Sequence, residues 1–175
     1  AEVISPELGE ELSVLCQDSS AEVRASVARA LGQIQPRFAV ALLSTMTMDD
    51  VWFVRLRAIM SLATFKDPSC IDIFVRSLCD TNRVVRQRAA LALVDFPRHA
   101  KNILELIIAT QDKYALHSYV SELQRSGRYG DLLRILKAQQ TAPGHSELIQ
   151  AVEAAQQDLS LREQSTQEPV TETVK

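Results

Sequence analysis

Apolar residues in this chain recur at helical spacing in short, evenly placed blocks. In the stretch DTNRVVRQRAALALVDF, residues 80–96, Val85, Ala89, Leu93 and Phe96 fall at i, i+4, i+8 and i+11, which places them on one face of an α-helix. The segment before it, PSCIDIFVRSLC at 68–79, is also amphipathic and opens with Pro, whose missing N–H is harmless in a first helical turn. Together the two segments predict a helical hairpin.

The hairpin is repeated. DSSAEVRASVARALGQI (18–34) and DDVWFVRLRAIMSLATF (49–65) align with residues 80–96 at a spacing of 31. Asp18, Asp49 and Asp80 share one column, and Arg24, Arg55 and Arg86 share another. Val23, Val54 and Val85 precede the arginines, and Leu31, Leu62 and Leu93 follow at fixed distance. First helices are expected over PELGEELSVLCQ (6–17) and PRFAVALLSTMT (36–47), again opening on Pro. Each turn Asp stands close to the next helix's N-terminus, where a carboxylate can accept orphan backbone N–H groups and meets the positive end of the helix dipole.

This combination, a turn Asp followed six residues later by the Arg of a Val-Arg pair and then by small residues and Leu, resembles HEAT-like repeats in the short bacterial form related to the phycobilin-lyase type. The resemblance covers residues 5–97. It implies an all-α fold, an α-solenoid of about five antiparallel helical hairpins. It also implies that Asp18, Asp49, Asp80, Arg24, Arg55 and Arg86 are structural, bonding one another and the neighbouring unit in a ladder along the stack.

Beyond Phe96 the register loosens, but helical segments continue. Residues 97–111 and 112–127 form an expected fourth hairpin, with Asp112 near the turn and His117 where an Arg would continue the ladder. Gly127 offers a C-terminal stop. A fifth hairpin is expected from 130–140 and 145–159, split by TAPG at 141–144 and more polar in its second helix, as suits the cap of a solenoid. The solenoid thus spans 1–160, with clear repeats over 5–97 and degenerate repeats and cap over 98–160. Residues 161–175 have little to bury and are expected to be a disordered tail.

Composition narrows the function classes. With 46% hydrophobic residues among 175, the chain can bury a substantial core, while a net charge of -3 argues against a surface that is everywhere a trap for nucleic acid. The longest apolar stretch, FAVALLSTM at 38–46, is far short of the roughly 20 residues of a membrane-spanning helix. Three cysteines, Cys16, Cys70 and Cys79, form no C-x-x-C pair and read as small core residues in a reducing, cytoplasmic setting, whether of a whole cytoplasmic protein or of the cytoplasmic portion of a membrane-anchored one. The start at Ala1, with no signal pattern, reads as part of a longer polypeptide.

No catalytic constellation emerges. His99, His117 and His145 lie on three different segments without metal-ligand spacing, and the five glycines form no phosphate loop. The expectation is a non-enzymatic chain without cofactor or metal. In a solenoid of the type resembled, second helices line the concave side. The columns there run Glu22, Phe53, Val84, then Ser26, Arg57, Arg88, then Arg29, Met60, Leu91. Trp52, Phe53, Leu56 and Met60 make the helix at 51–65 apolar on more than one side, and residues 52–101 carry nine basic against four acidic residues. An oily centre flanked by arginines suits an acidic amphipathic helix or peptide, with Trp52, Phe53, Met60, Val84 and Leu91 as apolar contacts and Arg57 and Arg88 as orienting charges. Nucleic-acid or anionic-surface binding through 52–101 is the alternative, and a regulatory appendage of a larger protein is a third reading.

Overall fold

The computed structural model describes residues 6–138 and 145–167, and among them it contains ten α-helices and no strand. They pair in chain order as α1 (Pro6–Leu15) with α2 (Ala21–Ile34), α3 (Ala39–Met46) with α4 (Trp52–Thr64), and α5 (Ile71–Ser77) with α6 (Arg83–Val94). Two further pairs follow, α7 (Ala100–Ala109) with α8 (Lys113–Arg125), and α9 (Tyr129–Ala138) with α10 (His145–Gln167). The all-α solenoid of five hairpins is the observed fold. The TAPG break lies outside the described residues.

Second helices are the long members of the first three pairs, and they form the tight layer. Here α2, α4, α6, α8 and α10 pack each on the next, whereas successive first helices touch less, so the second helices form the closer-packed layer. The buried stripe repeats with the sequence: Val54, Ala58, Ile59, Ser61 and Leu62 in α4, then Val85, Ala89, Ala90, Ala92 and Leu93 in α6, a shift of 31 throughout. Each fully buried Leu or Ile in this stripe contributes about 2 kcal/mol of transfer free energy. A continuous hydrophobic core therefore runs from Val27 in α2 to Ala155 in α10.

The same period governs where helices stop. Gln35 and Lys66, 31 apart, both take positive φ of 52° after a second helix. The next residue in that column is Pro97, whose ring holds φ negative. The chain there turns instead through a 3-10 segment, Pro97–His99, before α7.

At α8 the period changes. Its buried residues Ala115, Tyr119, Val120, Glu122 and Leu123 stand 30, not 31, residues beyond their counterparts in α6. The residue is lost between α6 and α7, since buried Ile103, Leu104 and Ile107 of α7 already stand 30 beyond Ile73, Phe74 and Ser77 of α5, so the expectation that His117 occupies the ladder arginine's place is corrected. Leu116 holds that place, and Thr110 holds the place of the turn Asp. Thr110 Oγ1 accepts the Asp112 N–H at 3.2 Å, as Asp80 accepts that of Asn82 at 2.7 Å. Asp112 in turn matches Asn82: each caps its helix through the N–H two residues on. His117 lies beside α10 instead, with Nε2 at 3.6 Å from Asp158, and burial pushes its imidazole pKa down.

Two smaller expectations also change. Helix α10 continues to Gln167, so residues 161–167 belong to a helix and not to a tail, while 168–175 lie outside the described residues. The helix extends because its final turns, SLREQSTQ, hold no Pro or Gly to stop it. Of the three cysteines, Cys70 is buried and Cys16 half-buried, but Cys79 is exposed rather than in the core, since it follows α5 in the turn that leads to Asp80.

Candidate functional site

The turns come first, because they set the spacing of the second helices. Arg24 donates from Nε and Nη2 to the two carboxylate oxygens of Asp49, at 2.6 and 2.8 Å, and from Nη1 to the carbonyl of Asp18 in its own turn at 2.8 Å. Arg55 does the same one repeat later, reaching Asp80 at 2.6 and 2.8 Å and the Asp49 carbonyl at 2.7 Å. Each arginine thus joins its own turn's backbone to the next turn's side chain. The carboxylate also accepts the N–H two residues on, at Val51 for Asp49 and Asn82 for Asp80. The Arg24 guanidinium holds the Asp49 carboxyl below the usual range. At Asp80 burial pushes upward, but the bonds from Arg55 and the Asn82 N–H prevail and the net shift is down.

Both ends of this ladder are incomplete. Arg86 keeps the bond to its own turn, Nη1 to the Asp80 carbonyl at 2.8 Å, but Thr110 stands where the next carboxylate would be. Its buried Nε has no hydrogen-bond partner, and its guanidinium lies over the Tyr114 ring, 5.6 Å from the centroid. At the other end Asp18 accepts the Ser20 N–H at 2.7 Å but forms no ion pair among the described residues.

The inner face carries the candidate contacts. Val84, Arg88 and Leu91, one turn apart on α6, come together on one wall of a cleft of about 230 Å³ that Gln87 and Arg125 complete. Val84 and Leu91 are exposed by 42% and 39%. Trp52, at the first position of α4, is 43% exposed and stands edge-on to Phe53, with ring centroids 6.0 Å apart. Phe53 and Leu56 pack against the core, so part of the extra apolarity of α4 serves folding. Arg57 and Met60 are half-buried on the same helix and do not line the cleft.

Charges on this face are free to act. Arg57 and Arg88 have no ion-pair partner among the described residues. Arg55 is committed to the ladder and Lys66 pairs with Asp95, so the surplus of 52–101 does not form one basic surface. Arg76 lies on the outer helix α5, away from Arg57 and Arg88. Arg125 is the contact that sequence comparison missed. It lies on the helix whose register has slipped, and it also pairs with the buried Glu122 one turn back.

No group of three His, Cys, Asp or Glu among the described residues could hold a metal. None of the described helices is long and apolar enough to cross a membrane. Among known families, the one described as HEAT repeats matches the chain over residues 1–63 and 40–124. No curated protein matches it.

Proposed function

The chain belongs to the HEAT-repeat family, and from that premise we propose that it is a non-enzymatic scaffold whose inner face takes an acidic amphipathic helix. HEAT repeats generally mediate protein-protein interaction. The observation that carries the finer reading is the cleft beside Arg88. Two exposed aliphatic side chains, Val84 and Leu91, flank a guanidinium without a partner, and Arg125 faces them from α8. One repeat earlier on α4, the unpaired Arg57 and the half-buried Met60 hold the places of Arg88 and Leu91, and Trp52 is exposed at the start of the same helix.

An entering helix would seat apolar residues, three or four apart, on Trp52 and on the Val84-Leu91 wall. Its carboxylates would meet Arg57 and Arg88, where the planar guanidinium can donate to both oxygens of a carboxylate. The apolar anchors supply most of the affinity, and the arginines fix orientation.

Trp52 is the chain's single tryptophan, so its fluorescence reports directly on the face. The test is a titration with synthetic amphipathic helices bearing Leu on one face and Glu on the other, against the same peptides with Lys for Glu. The acidic series should bind, the basic series should not, and Val84→Ala with Leu91→Ala should weaken binding more than tenfold. If those two variants bind normally while Arg57→Ala with Arg88→Ala abolishes binding, and raised salt does the same, then phosphate-type electrostatic attraction governs and nucleic acid becomes the better reading.

A further inference from the structure

Positions 23, 27 and 30 of α2 correspond to Val54, Ala58 and Ser61 of α4. All three of those are buried, and Ser61 lies directly against Gly32 of the preceding second helix. In α2 the same positions hold Val23, Val27 and Ala30. With Leu12, Glu22 and Ser26 they line an open groove of about 410 Å³. Val23 is half-buried, while its equivalents Val54 and Val85 are 0% exposed. The difference has a plain cause: a preceding second helix packs on α4 and on α6, and none of the described residues packs there on α2.

Asp18 points the same way by a separate route. Its turn is built like the two that follow, with the carboxylate accepting the N–H two residues on, at 2.7 Å for Asp18, 2.9 Å for Asp49 and 2.7 Å for Asp80. The later two carboxylates each receive Nε and Nη2 of the arginine 25 residues earlier. Asp18 shows the same carboxylate without that guanidinium.

We infer that the α1–α2 end of the stack is a docking face for a further helical hairpin of the same repeat type, one whose second helix brings an arginine to Asp18. The groove is apolar at Leu12, Val23, Val27 and Ala30, and small at Ala30, where the next repeat allows the close approach of Gly32 to Ser61. Charge and shape therefore select the same occupant. A second copy of this chain does not meet the requirement. Stacked end to end, a second copy would bring α10 to this face, and the fourth residue of that helix, where α2, α4 and α6 carry the ladder arginine, is Leu148.

The experiment grafts a copy of residues 36–66 directly ahead of residue 5, which preserves the 31-residue register and sets the copied Arg55 opposite Asp18. Thermal unfolding is followed by circular dichroism for the grafted chain, for Asp18→Ala, for Arg55→Ala within the graft, and for both together. The graft should raise the midpoint by at least about 4 °C, and the two substitutions should be strongly non-additive. An unchanged midpoint, or additive substitutions, overturns the inference. If the graft melts as a separate unit, thiol labelling at Ala30→Cys decides: slower labelling in the grafted chain supports docking, and equal labelling refutes it. Self-association of the ungrafted chain that Asp18→Ala abolishes would also refute it, by assigning the face to a second copy.

Discussion

Gly32 of α2 and Ser61 of α4 bring two helices into contact at a point where Gly32 has no side chain and that of Ser61 lies against it. A β-carbon at Gly32 would lie 2.6 Å from both Cβ and Oγ of Ser61 and 2.9 Å from its Cα. Thr64, one turn on, donates its hydroxyl proton to the Ser61 carbonyl at 2.7 Å, lies 3.3 Å from the Gly32 carbonyl, and accepts from the Gln35 amide of α2's C-terminal end at 3.0 Å. The inner layer is therefore tightest between the first two repeats, directly beside the helix that carries Trp52 and Arg57.

Gly32→Ala is expected to destabilise the protein, although alanine is the better helix former by about 1 kcal/mol. The clash includes Ser61 backbone, which no rotamer change relieves, and overpacking of this kind costs about 1–3 kcal/mol. Urea unfolding should show a lower midpoint with little change in slope. A variant as stable as the parent would mean that the two helices separate freely.

The ladder should be worth more in its middle than at its C-terminal end. Arg55→Ala leaves the Asp80 carboxylate, 9% exposed, without its guanidinium, and a loss of about 2 kcal/mol is expected, less than for a fully buried pair because solvent still reaches the site. Arg86→Ala removes no ion pair and should cost distinctly less. Equal losses from the two variants would contradict the geometry.

Restoring the missing carboxylate should lengthen the ladder. Thr110→Asp places the residue type of Asp49 and Asp80 in the corresponding turn, within the same hydrogen bond to the Asp112 N–H. A gain of about 1 kcal/mol is expected in the parent and should vanish in the Arg86→Ala background. A gain that persists without Arg86 would point to a helix-dipole effect instead.

Acid should act through the same carboxylates. Asp49 and Asp80 have lowered pKa values in the folded state, so their stabilisation is present above the ordinary Asp pKa of about 3.9 and is lost as pH falls through the lower folded values. Stability should therefore drop steeply below about pH 4, and Asp49→Asn should flatten that drop while lowering stability at neutral pH. Chemical denaturation repeated across this range measures the slope.

Gln111 holds a positive φ of 56° in the turn that leads to α8, and its side chain is exposed. Glycine adopts this conformation without the roughly 1 kcal/mol that it costs other residues. Gln111→Gly should raise the unfolding midpoint by a few degrees, and a lower midpoint would show that Gln111 makes a contact of greater value than the strain it bears.

Repeating chemistry was the part that the sequence could carry alone. Three copies of Asp, Val-Arg and Leu at a spacing of 31 determined the helical hairpins and their order, and marked Arg24, Asp49, Arg55 and Asp80, which pair across the turns, because stacked identical units place identical groups in contact. Two matters were decided only in three dimensions. One was the slip to 30 residues at α8. Asp112 and His117 resemble ladder residues two positions and one position late, and a helix reached through a shortened connection keeps its periodicity, so only the buried side chains reveal that Thr110 and Leu116 hold those places. The other was the inner face itself. Phe53 and Val84 share a column, yet Phe53 packs on the core and Val84 stands open beside Arg88. Arg125 joins them from a helix out of register. A residue's period says which side of its helix it occupies, whereas the neighbouring helices decide whether that side is covered.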